Sequence, residues 1–140
     1  MDPVSAFSLA GTILQFIDSG SKFIGLAWKL YRTENGGSKT LSELTKLTKN
    51  LDQVLDHLAS SSSNPQGQHS GISELADDCQ AVGNHLLDLL QKLLVNKPRK
   101  RDALKAAFQM LWNEDEIRSL QLRLDGFRAQ FNLHLLVSLR

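Results

Sequence analysis

Residues 3–17 read P-V-S-A-F-S-L-A-G-T-I-L-Q-F-I, Pro3 to Ile17, without a single charge. The clearly polar side chains in this stretch are Ser5, Ser8, Thr12 and Gln15. Their spacings of 3, 4 and 3 place them in one narrow stripe on a helix, and the rest of the cylinder is apolar or small. A helix that is apolar almost all round has to be buried, in a protein core or in lipid. The stretch therefore predicts a helix that hides in a core and is suited to lipid at another time.

Just before this stretch, Asp2-Pro3 is a helix start: an N-cap acceptor, then proline at the first helical position, where its missing N–H does no harm. The helix is expected to run to about Arg32, with Phe16, Phe23, Ile24, Ala27, Trp28 and Tyr31 extending its apolar face. Gly11, Gly20 and Gly25 each cost it about 1 kcal/mol relative to Ala. Either they let another helix approach closely or they leave this one marginally held. Glu34-Asn35-Gly36-Gly37 reads as a turn, and Thr40 to Glu43 has the capping-box pattern of a second helix. Leu41, Leu44, Leu47, Leu51, Val54, Leu55 and Leu58 then follow at helical spacing.

Residues 59–71, A-S-S-S-S-N-P-Q-G-Q-H-S-G, predict a flexible surface loop. A third helix spans about Ile72 to Val95, carrying Leu75, Cys79, Val82, Leu86, Leu90 and Leu93. Pro98 breaks it, and Asp102 opens a shorter segment with Leu104, Ala107, Phe108, Leu111 and Trp112. Asn113-Glu-Asp-Glu116 resembles another cap with acids in the first turn. The last helix places Ile117, Leu120, Leu124, Phe127, Phe131 and Leu135 at steps of 3 or 4. It reaches Arg140 with no Gly or Pro stop, as expected of a chain that continues.

Composition agrees with helix. Leucine fills 26 of 140 positions, Val and Ile together ten, and Tyr one, which disfavours sheet. The expected fold is all-α, one helical bundle of four to five helices over residues 1–140. The net charge of +1 hides an asymmetry: residues 1–90 hold 6 Lys/Arg and 10 Asp/Glu, residues 91–140 hold 10 and 5. The second part could favour an anionic surface. With Cys79 the lone cysteine, an internal disulfide and a cysteine metal cluster are excluded, and a reducing, intracellular setting fits.

The opening is neither a secretory signal nor a permanent span. Asp2 makes its start acidic and no Ala-x-Ala site follows. Val4–Ile17 would cover roughly 21 Å as a helix, short of a hydrocarbon core of about 30 Å. Lengthening it brings in Asp18 and Lys22, each costing on the order of 3 kcal/mol near mid-bilayer.

Catalytic and cofactor chemistry is hard to find. Gly37-Ser38-Lys39-Thr40 ends like a phosphate-binding loop, but that motif needs Gly at the positions of Thr33 and Ser38 and a strand before it. His57, His69, His85 and His134 lack the i, i+4 pairing of a metal site. Cys79, on an apolar row beside Asp77 and Asp78, reads as a core residue rather than a nucleophile. The expectation is therefore no enzyme, no cofactor, no metal and no small-molecule substrate. Lys97-Pro98-Arg99-Lys100-Arg101 is the densest charge run, open to three readings: a solvated turn, an anionic-lipid contact worth about 1 kcal/mol per basic residue, or nucleic acid and nuclear import. Aromatic residues for base stacking are missing from it, which argues against nucleic acid.

The opening M-D-P-V-S-A-F-S-L-A-G-T-I-L-Q-F-I-D-S-G-S-K resembles the start of fungal STAND/NLR-type receptors that carry a HeLo-like N-terminal domain. Leu44-x-x-Leu47-Thr48-Lys49-x-Leu51 with Asp77-Asp78-Cys79-Gln80 is also similar, as is the close from Arg123-Leu124-Asp125-Gly126-Phe127-Arg128 to L-H-L-L-V-S-L-R. The resemblance implies a helical bundle placed ahead of a NACHT or NB-ARC nucleotide-binding module, which these 140 residues do not contain. It implies a relation to the HeLo domain of heterokaryon incompatibility proteins and a role in regulated cell death and innate immunity. In such a role copies form a homo-oligomer on activation and move from the cytoplasm to the plasma membrane. Val4, Phe7, Leu9, Ile13, Leu14, Phe16 and Ile17 would then insert, and Lys97, Arg99, Lys100 and Arg101 would contact anionic lipid. The alternative is a non-enzymatic signalling adaptor acting by helix–helix association without membrane contact.

Overall fold

The computed structural model describes residues 3–32, 38–62, 71–95 and 101–138. It is all-α, with five helices among the described residues: α1 (Pro3–Arg32), α2 (Ser38–Ser62), α3 (Gly71–Val95), α4 (Arg101–Leu111) and α5 (Glu114–Ser138). Of the described residues only Trp112 and Asn113 lie outside a helix. α1 and α3 form the centre, each packing on all the other helices, whereas α2 and α5 both pack on this central pair. The buried side chains make one apolar core that draws on every helix, from Leu9 in α1 to Phe131 in α5.

The helices form where their apolar spacing predicts, and their ends show the local chemistry. α1 begins at Pro3, a residue whose fixed φ and missing N–H suit the first helical position. Asn113 caps α5: the Glu116 amide donates to Asn113 Oδ1 at 2.9 Å, and Glu114, Asp115 and Glu116 fill the first turn against the positive end of the helix.

Four boundaries differ from expectation. α2 starts at Ser38, so Thr40 lies inside the helix rather than at its cap; the Gly36-Gly37 pair, not the capping box, is the breaker in the sequence. α2 also runs through Ser62, and α3 starts at Gly71, so the expected loop over 59–71 gives up both ends. Within that extension the Ser60 hydroxyl donates to the Asp56 carbonyl at 3.0 Å, so its polar group is accommodated on the helix rather than drawn into a turn. Arg101, rather than Asp102, is the first residue of α4. The turn at 34–37, the rest of that loop at 63–70, and Pro98 lie outside the described residues.

Within α4, Phe108 and Trp112 enter the core while Leu111, expected beside them, stays partly exposed. Trp112 turns back at the end of the short helix, its amide donating to the Phe108 carbonyl at 2.9 Å, and fills that place.

Candidate membrane-engaging helix

α1 packs against all four other helices, so its faces are set by its neighbours more than by its own polarity. Leu9, Ile13, Phe16, Ile17 and Phe23 are fully buried. Phe16 lies against α3: a Cβ placed on Gly83 would sit 2.9 Å from the Phe16 ring and would also collide with Leu55 of α2. Gly20 meets α5 in the same way, with Leu124 Cδ1 2.7 Å from where its Cβ would be. Close approach is therefore the role of Gly20. Gly11 and Gly25 face open space, with nothing within 4 Å of an added Cβ.

The second half of α1 is held by aromatic contacts. Phe23 packs edge-on to Trp112, with ring centroids 5.4 Å apart, and lies 6.2 Å from Phe108. The Arg118 guanidinium sits 5.9 Å over the Trp28 ring, a contact worth about 0.5–1 kcal/mol at an exposed site. Ser19, buried, accepts a hydrogen bond from Asn50 Nδ2 of α2 at 3.2 Å.

Of the polar stripe predicted on α1, Gln15 is exposed but Thr12 is not, and the side chains of Ser5 and Ser8 lie outside the described residues. The outer face runs through Gly11, Leu14, Gln15, Asp18, Lys22, Gly25 and Lys29. Thr12 is small enough to pack, and no buried side-chain polar atom among the described residues lacks a hydrogen-bond partner. Leu14 is 43% exposed, so the expected insertion residues separate: Leu9, Ile13, Phe16 and Ile17 point inward and Leu14 outward. α1 includes Val4 and Phe7, whose side chains lie outside the described residues, as does that of Arg101; Lys97, Arg99 and Lys100 are not described.

Between α1 and α2 a groove of about 590 Å³ runs over Leu26, Leu47 and Gly25 and is rimmed by Lys22, Lys29 and Lys46, with Glu43 and Asn50 beside them. It gives the side of α1 that carries Leu14 a cationic border. Reading for the densest charge run missed these lysines. The seven-residue step from Lys22 to Lys29, two turns of helix, was the available signal. A smaller cleft between α3 and α5 has His85, Glu116 and Arg123 around Trp112. Cys79 is fully buried, and burial, then the charge of Asp78, push its thiol up to about 12. That is the environment of an inert core cysteine.

No helix among the described residues is long and apolar enough to cross a membrane. Leaving the core is also expensive. Exposing Leu9, Ile13, Phe16 and Ile17 to water, at about 1.5–3 kcal/mol each, costs roughly 6–12 kcal/mol. That equals the whole stability of a typical domain, about 5–15 kcal/mol. The first half of α1 can leave only if the bundle opens and another apolar phase receives those side chains.

Fold and site together define the class: an all-α bundle built around a central helix whose first half is charge-free. Comparisons with family models, with curated proteins and with solved structures find no match.

Proposed function

We propose that this domain is a non-enzymatic, membrane-acting effector, the N-terminal part of a fungal NLR-like receptor that executes regulated cell death. At rest it is cytoplasmic, with the apolar side chains of α1 held in the core. When copies cluster, each delivers the first half of α1 to the plasma membrane, and many weak insertions act together. One observation carries this reading: within the fifteen-residue charge-free stretch, Leu9, Ile13, Phe16 and Ile17 are sequestered in the core, and Leu14 alone among the described insertion residues faces out. The resemblance of the opening supports the cell-death role. The lysines bordering the α1–α2 groove add an attraction to anionic lipid within the described residues, about 1 kcal/mol for each residue near the surface.

Because the insertion residues are core residues, clustering has to be coupled to opening of the bundle, and lipid has to replace the lost core. Deleting residues 1–17 would remove part of the core and test folding instead. Leu14→Asp is the clean variant, since it adds a charge to the inserting run from an exposed position. The test is dye release from anionic liposomes by the domain fused to an inducible dimeriser. Release on dimerisation, reduced at least tenfold by Leu14→Asp with unchanged circular dichroism, supports the reading. Equal release by both proteins sinks it.

A second reading, a signalling adaptor acting by helix–helix association without membrane contact, is favoured by the apolar side chains that α5 exposes, Leu122, Leu133 and Leu136. It predicts lipid-independent association and no dye release.

A further inference from the structure

α5 is apolar on two sides. Ile117, Leu120, Leu124, Phe127 and Phe131 enter the core, yet Leu122, Leu133 and Leu136 are 72%, 60% and 66% exposed. At 100° per residue the exposed leucines lie about 180° from the core face. Single exposed leucines are ordinary, but these are in register. With Gly126 and Ala129 they fall at 122, 126, 129, 133 and 136, steps of 4, 3, 4 and 3, the spacing of a two-helix seam. Its centre is small, and a Cβ placed on Gly126 meets nothing within 4 Å, so another helix can come close there.

We infer that a second copy of this chain docks its own α5 on this seam, antiparallel, about a two-fold axis between Gly126 and Ala129. The seam complements itself in that direction. Leu122 of one copy meets Leu133 of the other, and Gly126 meets Ala129, so each leucine pair closes one end of a tight centre. An isologous contact of this kind closes at two copies. Charge selects the same direction. In a parallel pair Arg118 would face Arg123 of the other copy, because those flanking positions oppose one another. In the antiparallel pair Arg123 faces Gln130 and Asp125 faces Asn132.

Size sets the strength. The seam from Ser119 to Leu136 is about 27 Å long, and a strip about 15 Å wide along it would bury roughly 800 Å² in total, below the 1,200 Å² or so of a stable interface. The pair is therefore weak: monomeric when dilute, and formed when copies are brought together. The inference does not depend on the membrane reading and is tested without lipid.

The experiment is sedimentation equilibrium of the purified chain from about 10 µM to 1 mM, the range in which a weak contact of this size reports itself. The wild type is expected to move from monomer toward dimer with rising concentration, and Leu133→Glu to stay monomeric with an unchanged melting temperature. A wild type that is monomeric throughout, or a Leu133→Glu protein that associates equally, overturns the proposal. Orientation is read by oxidising a mixture of Leu122→Cys and Leu133→Cys chains, both in a Cys79→Ala background. Antiparallel docking gives the mixed 122–133 disulfide, because like positions are then about 16 Å apart along the axis. Recovery of like-with-like disulfides alone overturns the antiparallel assignment.

Discussion

Replacing glycine by alanine should have opposite effects at two places in this bundle. In a helix interior the change gains about 1 kcal/mol from backbone propensity alone. Gly25, in α1, faces open space, so Gly25→Ala should realise that gain. Gly83, in α3, does not: its new Cβ would collide with Leu55 and lie 2.9 Å from the Phe16 ring. Both neighbours are buried and have little room to retreat. Overpacking of this kind costs about 1–3 kcal/mol, so Gly83→Ala should fall between neutral and about 2 kcal/mol destabilised. The two variants should thus differ by about 1–3 kcal/mol, with melting temperatures separated by roughly 3–12 °C for a domain of this size. Thermal and urea unfolding followed by far-ultraviolet circular dichroism measures both. A Gly83→Ala protein as stable as Gly25→Ala would refute the close packing of α3 against α1 and α2, and with it the burial of Phe16.

Two other substitutions test single features. Asn113→Ala should lose about 1 kcal/mol by removing the cap on α5, whereas Asn113→Asp should keep it; urea midpoints at neutral pH distinguish them. Cys79 gives a pH signature. An unfolded cysteine ionises near pH 8.5, while the folded thiol is held up to about 12. Above pH 9 or so the unfolded chain therefore sheds a proton that the folded chain retains. Stability should be insensitive to this group below about pH 8 and then fall by about 1.4 kcal/mol per pH unit as the pH rises toward 12. The stability difference between wild type and Cys79→Ala across this range isolates the thiol, and a flat difference would mean that the thiol is not buried.

The helices were legible because leucine recurs at helical spacing in a chain poor in β-branched residues, and the cap at Asn113 because its chemistry is local. The faces of α1 were not legible. A charge-free run offers little contrast between sides, and Thr12 is small enough to enter the core while Leu14 turns outward. The two kinds of glycine look alike in sequence; only the helices opposite them separate Gly20, against Leu124, from Gly11 and Gly25. In α5 the core row was read correctly, but its regularity drew attention from the second row through Leu122, Leu133 and Leu136. The end of α2 escaped because serine is a loop residue by composition, yet a helix accommodates it when its hydroxyl bonds to the i−4 carbonyl, as Ser60 does.

That the first half of α1 leaves the core for lipid is most directly tested at residue 14. A fluorophore on Leu14→Cys, in the Cys79→Ala background, sits at an exposed position and leaves the core untouched. With brominated-lipid anionic vesicles, the account predicts little quenching of the dilute domain and strong quenching once the domain is dimerised by a fused module. Unquenched fluorescence from a dimerised domain that co-sediments with the vesicles would contradict it, because the protein would then be on the membrane with α1 still outside the bilayer.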